Sequence, residues 1–126
     1  MKKLFWSHSV FPTPDIENTS RFYTEKLGFV AVPYLNAKEP HICLYRDDTE
    51  IILTLANTKK VFPNHELYGY GYDAYFITDV QKEFEQKGVK IVRSLAKTDY
   101  HNQEFVIEDI DGRWIGFGIK EEREAE

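Results

Sequence analysis

The side chains that could do chemistry are few and scattered. Histidines stand at positions 8, 41, 65 and 101, and the one cysteine is Cys43. His41, His65 and His101 show no metal-ligand spacing and read as surface or turn residues. His101 with Glu104 forms one candidate pocket mouth. His8 falls in an apolar, strand-like run and reads as a lone strand histidine or a pocket hydrogen-bonding group. Asp47-Asp48 and Asp109/Asp111 resemble carboxylate pairs of the acid–base kind. Both sit in polar stretches between apolar runs, where Asp is favoured by turn geometry alone. Cys43 has apolar neighbours, as a buried inert thiol does. No Ser-His-Asp arrangement and no phosphate-cradling glycine loop is present. What remains is recognition by rings: nine Phe, eight Tyr and two Trp. Trp6 and Trp114 read as cavity walls or as ordinary core, and Tyr72 as a pocket hydroxyl or a strand filler. A cation stacked on an indole gains about 0.5–2 kcal/mol.

Charge and length narrow the partners. The formal net charge of −5 argues against a nucleic-acid backbone, which attracts Lys and Arg. It mildly favours a cationic small molecule. One cysteine allows no intrachain disulfide. A chain of 126 residues is one domain, or two fused halves sharing a core, and buries roughly 65–70% of its unfolded surface without metal or disulfide. Met1-Lys2-Lys3 runs directly into Leu4-Phe5-Trp6 without a signal-peptide pattern, and no apolar run reaches membrane-span length. A cytoplasmic location is the expectation.

The elements that would position these residues occur twice. Leu4 to Val10 reads as a strand ended by Pro12 and Pro14. Asp15 is suited to cap a helix whose apolar side is Ile16, Phe22, Tyr23 and Leu27, with Gly28 as its stop. Phe29 to Leu35 reads as a strand, with Pro33 marking an edge or bulge. His41–Tyr45 and Ile51–Leu55 form a hairpin. In the second half Tyr72–Ile77 is a strand. Thr78 or Asp79 caps a helix, and Thr78-x-x-Gln81 fits a capping box. Phe84 anchors that helix and Gly88 stops it. Val89–Val92 is a strand. Glu104–Glu108 and Trp114–Ile119 flank the Asp111-Gly112 turn. The capping aspartates at 15 and 79 lie 64 residues apart, about half the chain, as expected of a tandem duplication. The fold expected is α+β, with two tandem βαβββ modules forming curved half-barrel sheets around a cleft. Module one covers about 1–56, a linker 57–69 and module two about 70–120, within a single domain of 1–126. Residues 121–126 are an acidic tail.

Three segments in this order resemble the vicinal-oxygen-chelate superfamily of glyoxalases, extradiol dioxygenases, fosfomycin-resistance enzymes and bleomycin-resistance proteins. They are His8–Asp15 running into Phe22-Tyr23 and Leu27-Gly28-Phe29, then Tyr72–Val80, then Phe105–Gly118. The resemblance implies four metal-ligand positions on inner strands. They fall on His8, about Leu53, Tyr72 and Gly116, so only the first is a ligand type. With fewer than three protein ligands, the resemblance implies no metal, no cofactor and no catalytic residues. It points to the metal-free branch, in which dimers sequester a bulky cationic aromatic drug.

Strand alternation then places Trp6, His8 and Val10 on one inner face, Tyr72, Ala74 and Phe76 on another, and Trp114, Gly116 and Gly118 on a third. The two glycines would let a flat ligand approach the backbone. The ligand-binding residues expected are Trp6, His8, Tyr72, Phe76, Trp114 and Gly116. The expected protein is a homodimeric bleomycin-resistance-type binder of a small molecule, with no nucleic acid or membrane partner. Two alternatives remain open. One is a metal-dependent lyase, isomerase or dioxygenase using His8 with Tyr72 or Glu104. The other is an accessory protein whose own side chains fill the cleft.

Overall fold

The structure, a computed structural model, describes residues 1–78 and 80–120. Asp79, proposed as a cap, and the acidic tail 121–126 lie outside the described residues. The chain divides into two compact units, Met1–Val61 and Phe62 onward.

Unit one contains β1 (Ser9–Thr13), α1 (Ile16–Leu27), β2 (Val30–Tyr34), β3 (His41–Arg46) and β4 (Thr49–Leu55). Its sheet runs β1-β4-β3-β2, with β1 parallel to β4 and the other pairs antiparallel. Asp15 caps α1 by accepting the Asn18 N–H at 3.2 Å. Gly28 ends the helix with φ +75°, a left-handed turn that glycine adopts at no steric cost. Arg46 donates to the Leu27 carbonyl at 2.7 Å, so a hairpin cation satisfies an orphan acceptor at the helix end. α1 covers the sheet face carrying Phe11, Ile42, Leu44, Ile51 and Leu53, and its own Tyr23 and Leu27 complete a buried core.

The first strand departs from expectation. It runs Ser9–Thr13, not Leu4–Val10, and passes through Pro12. Pro12 is tolerated because β1 is an edge strand, where a missing N–H leaves no ladder bond broken on the open side. Pro33 likewise sits on the other edge strand, β2, as its type suggested.

Unit two contains α2 (Asn64–Tyr68), β5 (Ala74–Ile77), α3 (Gln81–Gln86), β6 (Lys90–Lys97), β7 (Asn102–Glu108) and β8 (Trp114–Lys120). Its sheet, β5-β8-β7-β6, repeats the first arrangement, with β5 parallel to β8. α2 arises within the stretch read as linker. It follows Pro63 and ends at Gly69 with φ +86°. Phe84 of α3 is buried against the rings of Phe105 and Phe117 at 6.2 and 5.1 Å. The capping box is absent. Val80 stands at the N-cap without a side-chain bond. Gln81 instead accepts the Leu95 N–H and donates to Glu85. The fold is therefore α+β, two open four-stranded mixed sheets that are the tandem βαβββ modules expected.

Candidate functional site

Each sheet has one face under a helix and one face turned away from it. The chemistry-bearing side chains gather on the second face.

In unit one, Trp6 and His8 belong to the segment before β1, so the strand alternation assigned to them does not apply. Trp6 is 80% exposed. With Phe5, Tyr45, Asp47, Asp48 and Glu50 it borders a recess of about 390 Å³. Rings and carboxylates thus share one wall. The Tyr45 phenol is pushed up to about 12, first by its hydrogen bond with Cys43, then by burial and by Glu50. His8 lies 3.6 Å from Glu50, Nδ1 to Oε1. The parallel register explains this contact, because Ser9 stands beside Ile51 and the preceding residues therefore face each other. Leu53, the position carried over from the family, is fully buried beside Phe11 under α1. Glu50 was missed because a parallel pairing offset is not written in either strand.

His8 and Glu50 are two donors, short of a metal coordination set. Among the described residues no group of three or more His, Cys, Asp or Glu could hold a metal ion. Within unit one the donors on this face fall short of the coordination set that the family's metal takes.

In unit two, the register reverses the expected facing of β5. Tyr75 stands opposite Gly116, and Phe76 opposite Phe117. Phe76 stacks on Phe117 at 5.3 Å on the helix-covered side, away from Gly116. The reason is that β5 starts at Ala74, so the alternation cannot be counted from Tyr72. Gly116 and Gly118 do admit a close flat neighbour, but it is the ring of Tyr75. A Cβ on Gly116 would lie 2.6 Å from that ring, and one on Gly118 would meet the Tyr75 hydroxyl.

Around these glycines a polar network forms. Tyr72 donates to Glu104 Oε2 at 2.5 Å and Tyr100 donates to Oε1 at 2.6 Å. Arg93 donates to the Tyr72 hydroxyl at 3.1 Å, and Asn102 to that of Tyr75 at 3.0 Å. Burial alone would push the Glu104 carboxyl up. The phenols of Tyr100, Tyr72 and Tyr75 outweigh burial and hold it below its ordinary value. Burial and Glu104 together raise the Tyr72 and Tyr100 phenols, so they stay as donors. Tyr100, not His101, reaches Glu104; His101 is a turn residue with φ +66°.

Trp114 begins β8, half-buried, with its indole N–H on Glu108 at 3.2 Å. His65, read from sequence as a surface or turn residue, lies flat on the Trp114 ring, 3.9 Å between centroids and 2° between planes. Its Nε2 is held 2.7 Å from the Gly112 carbonyl. One face of the indole is therefore occupied from within. The other expected non-site groups agree with their reading. Asp109 accepts the Asp111 and Arg113 backbone N–H groups and, with Asp111, pairs the buried Arg113 side chain. Cys43 is buried and free.

The family model described as Glyoxalase/Bleomycin resistance protein/Dioxygenase superfamily matches residues 6–117. The chain belongs to this superfamily. No curated protein matches the sequence. Among solved structures, superfamily membership is accompanied by likeness to UcmS2, with TM-score 0.72 and 20% identity over 93% of this chain and 98% of that one. Virulence protein STM3117 from Salmonella typhimurium is 26% identical with TM-score 0.67, over 96% and 100% of the two chains. The genomically encoded fosfomycin resistance protein FosX from Listeria monocytogenes has TM-score 0.64 at 12% identity, over 99% and 97%. The likenesses at 20% and 12% identity speak for the superfamily fold alone. Among the described residues no helix is long and apolar enough to cross a membrane.

Proposed function

We propose that this superfamily member binds a cationic aromatic small molecule and acts by sequestration, without a metal, as a homodimer. The observation that carries this reading is the unit-one recess. Trp6, Phe5 and Tyr45 supply ring faces, and Asp47, Asp48 and Glu50 supply negative charge around about 390 Å³. That volume is within the usual range for ligand sites. A cation on an exposed indole gains ~0.5–1 kcal/mol, and more as the contact is desolvated. The superfamily description names bleomycin resistance, which supports an antibiotic-related role. Tyr72 and Trp114 are retained as ligand-contact residues of the second open face, with Gly116 beneath the Tyr75 ring. Phe76 supports that face from behind.

The test is fluorescence titration with bleomycin and with benzyltrimethylammonium, run on the parent chain and on Trp6→Ala. Saturable quenching that disappears in Trp6→Ala, while Trp114 emission persists, is the expected result. Trp6 is exposed, so its removal leaves the core intact. Quenching unchanged by the substitution, or none with either compound, rejects the reading. Sedimentation of the same sample should give a dimer mass.

A second reading, a metal-dependent lyase, isomerase or dioxygenase, draws on one observation: the His8–Glu50 pair that parallel register creates. About one metal per chain by elemental analysis, lost in His8→Ala, would replace the first reading with this one.

A further inference from the structure

Unit two holds a separate recess of about 260 Å³, bordered by Arg93, Ser94, Lys97, Asp99, Tyr100 and Glu104. The strand that borders it, β6, is irregular. Between Ile91 and Arg93, Val92 has no residue opposite it on β7, because their partners Ile107 and Val106 are adjacent. Between Arg93 and Ala96, Ser94 and Leu95 stand against Phe105 alone. Bulges of this kind re-aim side chains beside binding sites. Here they bring Arg93 and Ala96, three residues apart, to the same face as Val106 and Glu104. The distortion is anchored: the Leu95 N–H bonds to Gln81 of α3 at 3.0 Å.

The lining is balanced in charge. Arg93 is fixed by its bond to the Tyr72 hydroxyl and by its guanidinium lying 5.7 Å from that ring. Only one of its five N–H donors is engaged there, which leaves a fork suited to a carboxylate. Glu104 is 5% exposed and ionised, and each oxygen accepts one phenol. Of the about four lone-pair sites of a carboxylate, the Tyr72, Tyr100 and Tyr75 phenols leave one for a ligand. Lys97 and Asp99 complete two cations and two carboxylates. A zwitterion can meet Arg93 with its carboxylate and the lining carboxylates with its ammonium, which a ligand of one sign does not. At ~30 Å³ per liquid water, the recess has room for about eight waters, an amino-acid-sized volume.

We propose that this recess binds a small zwitterion of the free α-amino-acid class, its carboxylate on the Arg93 fork and its ammonium toward Glu104 and Asp99. The inference is independent of the Trp6 site.

The test is a backbone amide NMR titration at constant ionic strength with glycine and L-serine, and separately with sodium acetate and ethylammonium chloride. Saturable shifts confined to residues 93–104 with the zwitterions, at least about tenfold weaker with either single-charge compound, are expected. Arg93→Gln, an exposed change that preserves the spectrum elsewhere, should weaken glycine binding about tenfold or more. Acetate binding as tightly as glycine, glycine binding unaffected in Arg93→Gln, or no saturable shift with any compound overturns the proposal.

Discussion

Asp73 carries a carboxylate oxygen, Oδ2, that is buried with no hydrogen-bond partner. Its Oδ1 accepts the Asn64 N–H at 3.3 Å. Burial raises its carboxyl above the usual range, against the Asn64 bond and the charge of Arg113 and with the help of Asp109; His65 opposes the shift slightly. The folded state then holds this proton to higher pH than the unfolded chain, whose Asp titrates near ~3.9. Stability therefore declines as pH rises from the unfolded value through the folded one. Asp73→Asn fixes the neutral form. It is expected to melt above the parent at pH 7, with the advantage shrinking toward pH 3. Thermal melts over that range check it, and a variant that melts lower at both ends refutes it. At this same scale the sequence was only partly legible. Residue types pointed to Trp6 and Tyr72 as pocket rings and to Glu104 at a pocket mouth, while Asp47 and Asp48 read as turn residues. They could not show that His65 covers Trp114, a contact that spans 49 positions in the chain.

The elements were legible wherever their signals are local. The Asp15 cap, the Gly28 stop, Phe84 as helix anchor and both hairpins follow from neighbouring residues alone. The misread strands depended on a partner strand, whereas α2 formed within the stretch read as linker. Leu4–His8 alternates like a strand, but β4 begins at Thr49, only two residues before the partner of Ser9, so there is little ladder left for it to join. β5 was misfaced because a shift of one residue turns every side chain over. Gly116 and Gly118 were recognised as sites of close approach, while the ring that approaches, Tyr75, was not. That contact yields a packing prediction. Gly118→Ala places a methyl against the Tyr75 hydroxyl and 2.9 Å from the Gln103 carbonyl. A loss of about 1–3 kcal/mol in denaturant unfolding is expected from such overpacking. Adding Tyr75→Phe should recover part of it, and strictly additive losses would show that the two positions do not meet.

On the scale of the whole molecule, the duplication gives two sheets whose outer strands, among the described residues, are β1 and β2 in unit one and β5 and β6 in unit two. Three of them bear a device that hinders further pairing. Pro12 interrupts β1, Pro33 interrupts β2, and β6 carries two bulges together with Lys90, Arg93 and Lys97. The fourth, β5, is only four residues long. β2 needs its proline most, since Val30 and Tyr34 beside it are exposed. Pro33→Val should leave the melting temperature nearly unchanged and still accelerate light scattering and thioflavin fluorescence in concentrated solution, because edges without such residues template growth. Unchanged scattering would show that the edge is protected by other means.

The bulges of β6 then have a consequence beyond ligand geometry. Fibril growth adds strands in a regular ladder, one repeat every ~4.7 Å. A strand with two surplus residues offers an incoming chain no continuous register to copy. The irregularity that borders a recess on one side of β6 also makes its edge a poor seed, so straightening this strand would trade colloidal lifetime for a tidier sheet.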